Sequence, residues 1–243
     1  MTDQLEHKTI LVTGANGGLG REFVRQGLAR GARRVYAAAR RPQAWEDNRV
    51  VPLALDLTDT RSIANAAAEA TDVDLLINNA AISSSGFPSV LNGDDEEARE
   101  IFETNYFGTL RVTRAFAPIL ASNGGGAIAN VLSLSAWTPI ATAYAASKAA
   151  TWSATNALRL ELAPQGTSVT GVMVGLIDTP MSADWDFPKV SPASVVEQTY
   201  DGVARGDAEV LADGETRRVK ELLSGRAEDL NGYFLEWMAG STA

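Results

Sequence analysis

An apolar run, Thr9-Ile10-Leu11-Val12-Thr13, passes straight into a glycine turn, Gly14-Ala15-Asn16-Gly17-Gly18-Leu19-Gly20, and a helical pattern opens immediately behind it. Few architectures accommodate that order. A strand that ends in glycines and feeds a helix N-terminus builds a cradle for an anion, because the backbone approaches closely and the helix presents free N–H groups. The same strand-then-helix rhythm continues along the chain. Strands are expected at Arg34-Val35-Tyr36-Ala37-Ala38, at residues 50–55, at 73–77, at 127–132 and at 168–174, with a short one near Glu209-Val210-Leu211-Ala212. Helices are expected over about 19–30, 60–70, 94–120 and 143–163, the first stopped by Gly31 and the third by the Ser122-Asn123-Gly124-Gly125-Gly126 loop. Strands that read as continuous apolar runs, separated by helices, predict a parallel sheet buried on both faces. The expected fold is α/β: a single-domain, Rossmann-type, doubly wound parallel sheet of about seven strands. It spans residues 1–243, with a substrate lid at about 180–205 and a helical C-terminal tail at about 214–243.

Composition narrows the chemistry. There is no cysteine, so disulfides, thiolate catalysis and cysteine metal sites are excluded, and the single histidine, His7, rules out a histidine-based triad or a multi-histidine metal centre. No metal is expected. A net charge of −9 argues against non-specific nucleic-acid binding, which needs phosphate neutralisation. The polar Met1 to Lys8 stretch lacks a signal-peptide core, and no apolar run is long enough to cross a membrane. With 45% hydrophobic and 21% charged residues, the expectation is a cytoplasmic protein that acts on a small molecule.

Two further features bear on activity. Tyr144-Ala145-Ala146-Ser147-Lys148 places a phenol and an ammonium on one helix face. A nearby ammonium favours the phenolate, and a fall of about two pKa units corresponds to roughly 2.7 kcal/mol, enough to make tyrosine a general acid/base. Roughly 20 residues past the glycine turn an acid would bind the ribose of NAD, whereas an arginine suits the 2′-phosphate of NADP. The chain has Arg40 and then Arg41 there, with no acid until Glu46, and Arg30, Arg33 and Arg34 lie nearby. NADP, with NADPH preferred over NADH, is the expected cofactor, with Arg40 the first candidate and Arg41 the second.

With the glycine turn, Asn78-Asn79-Ala80 and Tyr144-x3-Lys148 in order, the chain resembles the classical short-chain dehydrogenase/reductase family over roughly residues 8–180. The resemblance implies that Gly14, Asn16, Gly18, Leu19 and Gly20 form the phosphate-binding turn. Asp56 and Leu57 would meet the adenine, and Asn78, Asn79 and Ala80 would lie along the cofactor and support the sheet. It implies a catalytic set of Asn105, holding a water in a proton relay, Ser133, Tyr144 and Lys148, with Tyr144 and Lys148 also on the nicotinamide ribose. Gly175, Ile177 and Thr179 would serve the nicotinamide carboxamide, in a segment where Val174 replaces the family's usual proline. The serine departs from the family pattern. The usual spacing falls on Val131, so Ser133 is the better match and Ser135 the alternative, as though two residues were missing from the following loop. Substrate contacts are expected from Ser133, Ser135, Trp137, Tyr144 and Trp185, with Phe187 nearby, which suits an apolar or aromatic ketone or the corresponding secondary alcohol. The family resemblance also implies a homodimer or homotetramer built on the two longest helices. The alternative function is a non-catalytic NADP-binding regulator of the same fold. Intact Tyr144, Lys148, Ser133 and Asn105 argue against it.

Overall fold

The structure, a computed structural model, describes residues 5–84 and 89–240. The start of the Met1 to Lys8 stretch and the last three residues of the tail lie outside the described residues. Seven parallel strands form one sheet in the order 3-2-1-4-5-6-7: β1 (Thr9–Thr13), β2 (Arg34–Ala39), β3 (Val50–Ala54), β4 (Leu75–Asn78), β5 (Gly126–Val131), β6 (Thr167–Met173) and β7 (Glu209–Leu211). Helices α1 (Gly18–Ala29), α2 (Thr60–Glu69), α3 (Asp95–Phe102), α4 (Thr109–Ser122), α5 (Ala143–Leu162), α6 (Pro192–Arg205), α7 (Gly214–Leu222) and α8 (Ala227–Gly240) complete the chain.

Strand alternation sorts the core into two layers. Ile10 and Val12 face one side, where α1 contributes Phe23 and Val24, and α6 contributes Val195, Val196 and Tyr200. Leu11 faces the other side, against Ile63 of α2 and Val112, Phe116 and Leu120 of α4. Tyr200 meets Phe23 edge to face at 5.7 Å and donates its hydroxyl to the Phe23 carbonyl at 2.7 Å, which ties α6 to α1. A third, smaller cluster of Leu132, Leu134, Trp137, Met173 and Val219 joins the carboxyl ends of β5 and β6 to α7.

Three expectations differ from the structure. The helix expected over 94–120 is divided by a π-helical turn, Glu103–Gly108, and hydrogen bonding widens where Asn105 turns inward. The lid expected at about 180–205 splits in two. Residues 179–190 form a loop, but 192–205 are helix α6, with Val195, Val196, Thr199 and Tyr200 fully buried on the sheet. Ser191 caps that helix through the Ser194 N–H and Pro192 opens it, a start signal readable in the chain. The helical tail from 214 is two helices, α7 and α8, and α7 packs its Val219 into the third core cluster.

Candidate active site

β1 pairs with β2 on one side and β4 on the other, so the strand order reverses between β1 and β4. That is where an open α/β sheet forms a crevice at its carboxyl ends. Thr13, the last residue of β1, holds the crevice together. Its hydroxyl donates to the Ile77 carbonyl at 3.2 Å and accepts from the Asn79 and Ala80 N–H groups at 3.0 and 3.1 Å. Gly14 follows with φ +67°, and a Cβ there would lie 2.9 Å from the Ala80 Cα. A Cβ on Gly20 would lie 2.2 Å from the Gly14 carbonyl oxygen, so the turn closes on itself only with glycine. Asn79 binds the Thr13 carbonyl through its side chain at 2.8 Å. Asn78 points away, to Thr113 and Asn130, and supports the sheet. Leu19 is buried in the first core layer behind the turn, and Leu57 rests against Gly108 of the π-helical turn.

The residues around this turn fit a dinucleotide. The turn sits at the open N-terminus of α1, which has no side-chain cap, so its N–H groups remain available to an anion. The Asn16 amide donates to the Arg41 carbonyl at 2.8 Å, while its buried Oδ1 has no protein partner. Arg40, at the end of β2, is exposed and makes no hydrogen bond or ion pair among the described residues. Its charge helps hold the Asp56 carboxyl below the usual range, after the larger effect of the hydrogen bonds from Thr58. Arg33 and Arg34 pair with Asp72 at the far end of the same strand and Arg30 pairs with Asp201, so these three are spent on structure.

Helix α5 carries the other half of the site. Thr142 caps it, accepting from the Ala145 N–H at 3.1 Å, and so fixes where Tyr144 starts. Lys148 is buried, donates to the Val131 carbonyl at 2.8 Å and lies 5.6 Å from the centre of the Tyr144 ring. Ser133, in the turn after β5, lies beside the Tyr144 phenol and acts to lower its pKa. Its own oxygen accepts from the Ser135 N–H at 3.1 Å and the Ser135 hydroxyl at 2.9 Å. The two serines are thus bonded to each other beside the Tyr144 phenol. Asn105 pins the loop after β4: its side chain exchanges two 2.9 Å bonds with Ile82 and also donates to Ser147 at 3.1 Å. Its carbonyl accepts the Thr109 and Thr151 hydroxyls at 2.8 and 3.2 Å.

Two expectations need correction. Tyr144 was expected at a lowered pKa. It is half-buried at the surface, but burial pushes the phenol up to about 12, only partly offset by the nearby Ser133. Burial also holds Lys148 down to about 8, and its ammonium is turned toward the Val131 carbonyl. Trp137, expected against the substrate, is 6% exposed and packs edge to face on Trp152 at 5.8 Å, with the Lys220 ammonium 4.7 Å from its ring centre. It is a core residue beneath the serine turn.

The segment after β6 closes the crevice from above. Thr179 lies over the glycine turn, its Cγ2 3.2 Å from where a Cβ of Gly18 would sit. The loop that follows is pinned at its neck, where Asp178 and Leu176 bond Val190 beside the Ile177–Val190 bridge. At its far end Phe187 stacks on Trp237 of α8 at 4.7 Å, and Phe234 stacks on the same indole at 5.7 Å. Trp185 is half-buried in this loop, with its N–H on the Ser182 carbonyl at 3.2 Å.

The short chain dehydrogenase family model matches residues 8–188, a span that runs from β1 through the closing loop. The chain belongs to the short-chain dehydrogenase family. A short-chain dehydrogenase from Burkholderia cenocepacia, solved with NADP, is 40% identical, covers 93% of this chain and 97% of its own, and superposes with a TM-score of 0.87. A 3-ketoacyl-(acyl-carrier-protein) reductase from Brucella melitensis, solved with NADH, is 25% identical over 84% of this chain and 96% of its own, with a TM-score of 0.78. An uncharacterised oxidoreductase from Staphylococcus saprophyticus is 30% identical over 80% of this chain and 90% of its own. This short-chain dehydrogenase is thus an oxidoreductase by family. Sequence reasoning passed over Thr13 and Thr142. A strand-final threonine before the first glycine, and a threonine two residues before the tyrosine, are the signals that would have found them. No group of residues able to hold a metal is found among the described residues, and no described helix is long and apolar enough to cross a membrane.

Proposed function

We propose that the protein is an NADP(H)-dependent reductase of an apolar or aromatic ketone, yielding a secondary alcohol, and that it also runs the reverse oxidation. The observation that carries this reading is Tyr144 beside Ser133, with Lys148 one turn along the same helix face, at the crevice that the glycine turn opens. The nicotinamide cofactor supplies the hydride. Tyr144, protonated at neutral pH, gives its proton to the oxygen that becomes the alcohol and recovers a proton from the alcohol in the reverse direction. Ser133 donates to the same oxygen as its charge develops. Lys148 favours the phenolate that Tyr144 leaves behind. Asn105 positions α5 through Ser147 and Thr151, and the water that the family resemblance assigns to it would have to share a carbonyl already taken by two hydroxyls.

On this reading Gly14, Asn16, Gly18, Leu19 and Gly20 hold the pyrophosphate, Asp56 and Leu57 the adenine, and Asn79 and Ala80 the middle of the cofactor. Tyr144 and Lys148 hold the nicotinamide ribose, and Gly175, Ile177 and Thr179 the carboxamide. Arg40, exposed and unpaired, takes the 2′-phosphate, with Arg41 beside it. Exposed Val90, Leu91 and Met181 support an apolar substrate, because Val90 bonds the Ala141 carbonyl just before Tyr144 and Met181 follows Thr179. Exposed Phe107, in the π-helical turn between α3 and α4, and Leu160, in the last turn of α5, support a homo-oligomer.

The test is turnover of a ketone panel with each cofactor. NADPH should exceed NADH by about tenfold or more in kcat/KM, and Arg40→Ala should remove most of that preference, as loss of a charge-assisted hydrogen bond does. A preference for NADH, or one unaltered by Arg40→Ala, contradicts the cofactor assignment.

A further inference from the structure

The chain after β6 carries Thr179 over the glycine turn, yet residues 174–179 lie outside every strand and helix. One carboxylate from a different element secures the start of this segment. Asp213, between β7 and α7, accepts the Gly175 N–H at 2.8 Å through Oδ2. The same oxygen accepts the Thr216 hydroxyl at 2.8 Å, while Oδ1 accepts the Thr216 N–H at 2.8 Å and so caps α7. Gly175 is confined from the other side: a Cβ there would lie 2.9 Å from Leu134 Cδ2 and 3.5 Å from Asp213 Oδ2. Leu134 is the residue between Ser133 and Ser135, and its N–H bonds the Val174 carbonyl at 2.9 Å. Three pieces therefore meet at one carboxylate: the cofactor-facing segment, the serine turn and the N-terminus of α7.

We propose that Asp213 is a positioning residue that fixes the segment Gly175 to Thr179 in register over the glycine turn, and thereby sets cofactor affinity. The role rests on the functional reading above. Helix capping alone does not require it. A cap needs one acceptor for the Thr216 N–H, whereas Asp213 applies its second oxygen to a segment some forty residues earlier in the chain. Both lone-pair directions of that oxygen are used, one on Gly175 and one on Thr216.

Asp213→Asn separates the two roles. Asparagine caps a helix about as well as aspartate, so its oxygen keeps the Thr216 N–H. Its amide nitrogen then faces the Gly175 N–H, donor against donor. Asp213→Ser also keeps a cap but is too short to reach Gly175, and serves as the second variant if the first folds poorly. Two readouts are taken on the full chain: amide hydrogen exchange of residues 174–182 without cofactor, and NADPH affinity by fluorescence titration. Both variants should exchange about tenfold faster in that segment and bind NADPH about tenfold more weakly. Exchange in β1 and β4 should stay as in the unsubstituted protein. Unchanged exchange in 174–182 overturns the proposal, as does faster exchange with unaltered NADPH affinity. If the unsubstituted protein binds neither NADPH nor NADH, the functional reading itself falls, a result distinct from either of these.

Discussion

At the residue scale, the site is governed by burial as much as by charge. Tyr144 and Lys148 stand one turn apart, yet the phenol sits above its ordinary value and the ammonium below its own, because burial raises Tyr144 and lowers Lys148 at the same time. Lys148 sits at about 8 in the folded chain against 10.5 for an ordinary lysine. Between those values the unfolded chain binds the extra proton, so the contribution of Lys148 to stability rises with pH from about 8 to 10.5, and below pH 8 its full burial cost is present. Lys148→Met should therefore raise the Tm at pH 7 by several degrees, since about 3 kcal/mol of burial cost disappears, while turnover falls to near background. Thermal unfolding of both proteins at pH 7 and pH 10 checks this. The gap should narrow at pH 10, and an equal gap at both would contradict a depressed lysine. The serines supply a second prediction. Ser133 lies beside the phenol, and Ser135 hydrogen-bonds Ser133. Ser133→Ala should cost about 100-fold in kcat, as losing a donor to the developing oxyanion does, and Ser135→Ala about tenfold less than that. Steady-state kcat values decide it, and a larger loss at Ser135 would reverse the assignment.

At the scale of elements, two devices shape the cleft. The π-helical turn at Glu103–Gly108 aims Asn105 into the space between the β4 loop and α5, where a regular helix would carry it past. The loop over residues 179–190 is held at its neck by backbone bonds and at its far end by the Phe187–Trp237 stack. Stacks of this kind contribute about 0.5–1.5 kcal/mol beyond their buried area. Trp237→Ala should then speed amide exchange in residues 183–189 and raise the ketone KM about threefold to tenfold, while NADPH affinity stays within about twofold. An unchanged KM together with unchanged exchange would show that α8 is not what holds the loop.

At the scale of the whole molecule, the sheet order brings the end of β1 and the end of β4 to one crevice, and the proposed cofactor contacts come from the carboxyl ends of the strands, the start of α1 and the start of α5. Much of this is legible in the sequence, because strand runs such as Thr9–Thr13 and Arg34–Ala39 are apolar on both faces and glycine turns have few uses. The π-helical turn is not legible, since residues 94–120 carry a continuous helical pattern and only packing against Ile82 and Ser147 opens it. Ser191 and Pro192 signal the start of α6, but the burial of Val195 and Tyr200 against α1 that fixes this helix to the sheet is a long-range event. Trp137 was placed by its nearness to the serines in sequence, while its side chain turns to Trp152 and the core. The rise in the Tyr144 pKa escaped for a similar reason, as helix spacing reports which groups are adjacent but not how deeply they are set. The central claim joins the glycine crevice to a tyrosine proton donor, and Tyr144→Phe separates them by removing one hydroxyl. The decisive measurement is ketone reduction by this variant alongside its NADPH affinity. Turnover should fall by about a thousandfold or more with NADPH bound nearly as tightly as before, whereas turnover near that of the unsubstituted protein would contradict the account.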